Sequence, residues 1–208
     1  MRSRLLFALA VFALLASPGL ASPGLAQSPP GGAPTRIRGT VEKLDGRDLT
    51  VKSRDGDTVS VTLAPNFLVL AVVPKTMADI KPGDTVASTS LHGSDGKLMA
   101  VEVHIFPRSM RVAEGQFPWD LVPGSLMTNA TVAQVAKVPR GQVMTVTYQG
   151  HRSAITVLPG IPIVGYVPGD ASLLKPGAAV FLIARKNPDG GLTAARVTAE
   201  KNGVKPPM

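Results

Sequence analysis

The sequence predicts an all-β protein built as two tandem small OB-like β-barrels, five or six strands each, related by internal duplication. Three observations lead to this reading. Shifted by 94 residues, Gly56 to Val103 falls on Gly150 to Val197 without a gap, and 14 of the 48 positions are identical. The identities gather at turn formers and apolar positions, among them Pro65/Pro159, Pro74/Pro168, Lys81-Pro82-Gly83/Lys175-Pro176-Gly177 and Asp95-Gly96/Asp189-Gly190. A shared backbone keeps such positions while its side chains drift. Runs such as Thr58 to Leu63 alternate apolar and polar residues, the two-residue period of a strand with one buried face.

In the first copy the strands are expected at 36–43, 48–53, 57–63, 67–73, 84–91 and 97–106. Asp55-Gly56 lies between two of them, where a tight hairpin requires a positive φ that glycine adopts without steric cost. Asp95-Gly96 and Asp189-Gly190 repeat the device. Lys81-Pro82-Gly83 and Lys175-Pro176-Gly177 place Pro and Gly at the centre of type II turns that launch the fifth strand. A short helical turn at 76–80, and again at 170–174, is expected just before it. Many short strands with one longer crossover favour a closed barrel of OB type, because closure removes exposed edges; a small sandwich is the alternative.

Gly39-Thr40-Val41, Asp45-Gly46, Leu49-Thr50-Val51, Asp55-Gly56, Ile80-Lys81-Pro82-Gly83-Asp84 and Asp95-Gly96 together resemble the bacterial domain-of-unknown-function family 5666. The resemblance implies an exported protein with OB-like barrels and implies no activity. The second copy departs from the pattern, with Asn129-Ala130-Thr131-Val132 at the Gly-Thr-Val position and Ala178 in place of Asp84.

The N-terminus reads as a secretory signal. Arg2 and Arg4 precede an apolar run from Leu5 to Ala16, followed by Ser-Pro-Gly-Leu-Ala written twice. Twelve apolar residues are too few for a membrane-spanning helix, which needs about 20. Gly24 and Ala26 are small residues suited to a peptidase, so cleavage is expected after Ala26. The resulting plan is a signal peptide over 1–26, a disordered linker over 27–35, barrels over 36–106 and 128–201, a connector over 107–127 and a flexible tail over 202–208. Location in the periplasm or outside the cell follows. The chain has no cysteine, which excludes an acylated lipoprotein.

Charge separates the copies. Residues 36–106 carry nine basic and nine acidic residues, whereas 128–208 carry nine and three. The excess points to Lys137, Arg140, Arg152, Lys175, Arg185, Lys186 and Arg196 as a face for an anionic envelope component or protein partner. Nucleic acid fits poorly, because stacking barrels interleave aromatics with basic residues and the second copy offers only Tyr148, Tyr166 and Phe181. In the connector, Phe117 and Trp119, the one tryptophan of the chain, are expected in the seam between the barrels, as packing or as a stacking floor for a ligand.

Catalytic chemistry has few actors. His92-Gly93-Ser94-Asp95 contains the residue types of a triad, but neighbours in one tight turn cannot form the relay, and the second copy has Lys186 and Pro188 instead. His92, Glu102 and His104 are the candidate metal ligands, the last two sharing one strand face at i, i+2. No cofactor is indicated. The expected function is therefore a non-enzymatic exported binding or envelope-interaction protein, with metal handling through His92, Glu102 and His104 as the alternative.

Overall fold

The computed structural model describes residues 34–207. The signal peptide, its cleavage site and the linker as far as Ala33 lie outside the described residues. The described chain forms one compact unit and is all-β. Its strands are β1 (Pro34–Asp45), β2 (Asp48–Ser53), β3 (Thr58–Pro74), β4 (Thr85–His92), β5 (Leu98–Ile105), β6 (Gly115–Pro118), β7 (Leu126–Val138), β8 (Gly141–Tyr148), β9 (His151–Val157), β10 (Ile163–Gly169), β11 (Ala179–Lys186) and β12 (Leu192–Ala199). Single 3-10 turns at Met77–Asp79 and Ala171–Leu173 occupy the two expected helical positions. No helix of the described residues is long and apolar enough to cross a membrane.

The turn chemistry follows the sequence. Gly56 and Gly96 have φ of 95° and 75°, and Gly83 and Gly177 have 88° and 89°. The Asp84 N–H donates to the Lys81 carbonyl and the Ala178 N–H to that of Lys175, closing both Lys-Pro-Gly turns.

Strand pairing closes a five-stranded barrel in the order β1-β2-β3-β12-β11 and back to β1. Its interior holds Val41, Leu49, Val51, Leu63, Leu182 and Val197, all nearly inaccessible to water. The further strands β4, β5, β9, β8 and β7 pair in a second cycle, in which β5 meets β9 through Leu98/Ile155 and Met99/Thr156. Val86, Val103, Val132, Met144, Val146 and Ile155 fill that side. β10 lies between β3 and β5, and β6 flanks β7.

These pairings depart from the tandem arrangement expected of two self-contained copies. The closed barrel takes β1 to β3 from the first half of the chain and β11 and β12 from the second. Two local features account for this. The runs expected at 57–63 and 67–73 are one strand of 17 residues; a register shift opposite Ala194 and Arg196 absorbs the extra residues at the junction. β3 stays paired with β12 of the barrel as far as Ala71 and runs on beside β10 to Pro74, so the chain leaves the barrel along β10 before it enters the β4-β5 hairpin. Each Lys-Pro-Gly turn then docks on the first strand of the other half. The Gly177 N–H donates to Val41 O and the Val41 N–H to Ala178 O, while the Gly83 N–H donates to Val132 O and the Val132 N–H to Asp84 O.

The connector is also part of the sheet, since β6 pairs with β7 and sets Phe117 opposite Met127. The C-terminal segment, expected to be a flexible tail, folds back at Asn202-Gly203. Lys201 and Val204 exchange backbone hydrogen bonds, and Val204 packs against the cluster of Leu70, Val72, Val164 and Tyr166.

Candidate functional site

The seam between the two pairing cycles is built by strand periodicity. Along β1, Ile37 turns into the barrel and Arg36 and Arg38 turn out. On β11 and β12, Phe181 and Ile183, and Arg196 and Thr198, lie on the corresponding outer face, with Phe181 opposite both Arg38 and Thr198. Across the seam stand Ala87 of β4, Phe117 of β6, Met127 and Asn129 of β7 and Tyr166 of β10. Trp119 joins Ala87, Met127 and Phe181 in one buried cluster, with Phe106, Phe117 and Leu121 packed against it.

Between these walls lies a cavity of about 400 Å³, within the size range of small-molecule sites. Phe106, Phe117, Trp119, Tyr166 and Phe181 line it. They are five of the nine aromatic residues in the chain, so the aromatic content is concentrated here rather than spread through the cores. The charged lining residues are Arg36, Arg111 and Arg196, and among the described residues no carboxylate lines the cavity.

The wall around Trp119 is fixed by cations and hydrogen bonds. The Arg36 guanidinium lies 4.0 Å from the Trp119 ring centroid, and Arg38 stands 5.1 Å from that of Phe181, distances at which ring quadrupoles attract cations. Arg38, 7% exposed, donates to Asp120 Oδ1 at 2.8 Å, and Arg36 comes within 3.7 Å of the same oxygen. Partial burial would raise the Asp120 carboxyl, but the Arg38 hydrogen bond and the two guanidinium charges hold it below its ordinary value. The loop after Trp119 is closed by Ser125, whose N–H bonds Val122 O and whose hydroxyl donates to the carbonyls of Trp119 and Val122. Trp119 Nε1 and Arg38 Nε are buried without a hydrogen-bond partner among the described residues.

Behind the cavity a polar group is enclosed. Thr89 Oγ1 donates to Glu102 Oε1 at 2.5 Å, and His104 Nδ1 lies 2.6 Å from the Tyr166 hydroxyl. His104 Nε2 and Glu102 Oε2 are 3.1 Å apart but out of line for a hydrogen bond. Burial and the Glu102 charge push the Tyr166 phenol far above its usual value, so it stays neutral. Glu102 and His104 are 1% and 0% exposed, which removes them from any solvent-borne substrate or ion.

Among the sequence candidates, Phe117, Trp119 and Arg196 come together at the cavity. Trp119 lies in the seam as expected, buried and with part of its side chain lining the cavity. The seven basic residues do not form one face of one barrel. Lys137, Arg140 and Arg152 lie on or beside β7 and β9, whereas Lys175, Arg185, Lys186 and Arg196 lie on or beside β11 and β12 of the closed barrel. The strand pairing places them on separate parts of the sheet. The metal trio is likewise not assembled. His92 is exposed at the hairpin with Nδ1 3.0 Å from Gly96 O, three residues along β4 from the Thr89 that faces Glu102. Among the described residues no three His, Asp or Glu side chains converge.

Sequence reasoning did not single out Arg36, Arg111, Phe106, Tyr166 or Phe181 as site residues. Arg36, Tyr166 and Phe181 lie on strands, Phe106 directly follows β5 and Arg111 lies in the connector, and only the pairing of the two halves brings them to one cavity. No family model, curated protein or solved structure matches the chain.

Proposed function

We propose that this is an exported, non-enzymatic binding protein whose ligand site is the cavity between two OB-like barrels, each assembled from both copies of a duplicated module. The observation that carries the function is the cavity itself, with five aromatic side chains converging on it from the end of β5, the connector, β6, β10 and β11. Such walls offer wide apolar contact with few conformations to lose, while hydrogen bonding stays at the edges.

Several facts support the architecture. The first helical turn, β4 and β5 precede the second turn, β11 and β12 by the same 94 residues as the sequence repeat. The parallel pair Val69/Val197 has its counterpart in Ile163/Val103, and Val72 pairs with Tyr166, the residue 94 positions later. These relations are those of two like units exchanging their last two strands about an approximate two-fold axis. Export rests on the charge and hydropathy pattern of residues 1–26. The non-enzymatic reading rests on the inaccessible His104 and Glu102 and on the absence of cysteine from the chain.

The test is a titration with N-phenyl-1-naphthylamine, an uncharged aromatic probe. Saturable binding of one molecule per chain, with energy transfer from Trp119, is expected. Ala113 is exposed and lines the cavity, so Ala113→Trp should obstruct it and abolish that binding without disturbing a core. No saturable binding to the wild-type protein, or binding unchanged in Ala113→Trp, contradicts the proposal.

A further inference from the structure

We infer that the cavity takes a small organic anion, a carboxylate, sulfonate or phosphate carried on an aromatic or flat apolar body. The inference rests on the cavity being the ligand site and adds the charge class of the ligand. Three arginines and, among the described residues, no carboxylate line the space. Their placement is graded: Arg111 and Arg196 are exposed, Arg36 is half-buried, and Trp119, Tyr166 and Phe181 are buried. A ligand entering ring-first would set its apolar body among the aromatics and leave its anionic group among guanidinium forks suited to oxyanions.

Two carboxylates in contact with the cavity wall are already engaged. Asp120 is held by Arg38 and lies 3.7 Å from Arg36, so one carboxylate faces two guanidinium groups. Glu102 is sealed behind the wall on Thr89. Among the described residues, the hydrogen-bond approach of the Arg196 guanidinium is the long 4.0 Å one to Met110 Sδ, a weak acceptor.

The measurement compares 8-anilino-1-naphthalenesulfonate, which carries a sulfonate on the same ring system, with uncharged N-phenyl-1-naphthylamine. Both titrations are read by energy transfer from Trp119. We expect the sulfonate to bind one per chain and about tenfold tighter than the neutral probe. Arg111→Gln and Arg196→Gln, at exposed positions, should each weaken the sulfonate by about five- to tenfold and leave the neutral probe within about twofold, as expected for losing one charge-assisted hydrogen bond. Equal affinities for the two probes, unaltered by either substitution, would overturn the anion assignment while leaving the cavity as a ligand site. Failure of the neutral probe to bind, or its indifference to Ala113→Trp, strikes the cavity reading instead.

Discussion

At the scale of single residues, the account turns on the Arg38–Asp120 pair that braces Trp119. Arg38 is buried and its Nη2 donor ends on Asp120, so Asp120→Asn leaves a guanidinium without its anion. The expected loss of stability is about 1–3 kcal/mol, read from urea unfolding near neutral pH. The carboxyl is held below its ordinary value. Its contribution is therefore complete above the ordinary range and disappears as the pH falls through the lower, folded value. The difference between wild type and Asp120→Asn should shrink in acid, and a constant difference down to the acid transition would argue against the ion pair. Little of this was legible beforehand. Trp119 could be placed in the seam because a large aromatic in a connector seeks burial. Its partner Arg38 alternates with apolar neighbours and reads as an ordinary wet-face residue.

At the scale of elements, the turns were the most legible part, because Gly and Pro act through backbone geometry that does not depend on the rest of the fold. Gly39 is a sharper case. It opens the Gly39-Thr40-Val41 pattern, and a Cβ there would strike the Lys52 carbonyl oxygen on β2. Gly39→Ala should cost about 3 kcal/mol, since backbone must move to admit it. Gly56→Ala provides the contrast, with φ of 95° but open space around the position, and should cost about 1 kcal/mol. Thermal unfolding of the two variants distinguishes collision from turn strain; equal losses would mean that β1 and β2 are farther apart than described. The continuity of β3 was less legible, because Ala64-Pro65-Asn66 carries turn formers where the strand runs on through a register shift against β12.

At the scale of the whole molecule, the repeat gave the strands and their faces, yet it could not say which copy supplies each neighbour. Equivalent strands present equivalent edges. The β4-β5 and β11-β12 hairpins are therefore interchangeable as far as local pattern goes, and the choice falls to chain geometry at the 17-residue β3. The consequence bears on the proposed site, because this pairing brings Arg36, Phe181 and Arg196 of the closed barrel to one cavity with Phe117 and Met127. It also distributes the basic residues of the second copy over both sides of the molecule.

The pairing of β1 with β11 is the direct test of this account, and the absence of native cysteine makes it a clean one. Thr40 lies opposite Ala179, whereas copies closing separately would set Thr40 opposite Thr85, the counterpart of Ala179 at the 94-residue repeat. Cysteines bridge only when their Cα atoms lie within about 7 Å. Under mild oxidation of the monomer, the Thr40→Cys/Ala179→Cys variant should form an intramolecular disulfide and Thr40→Cys/Thr85→Cys should not. The opposite pattern, with the bridge between positions 40 and 85, would contradict the exchange and with it the seam that encloses the cavity.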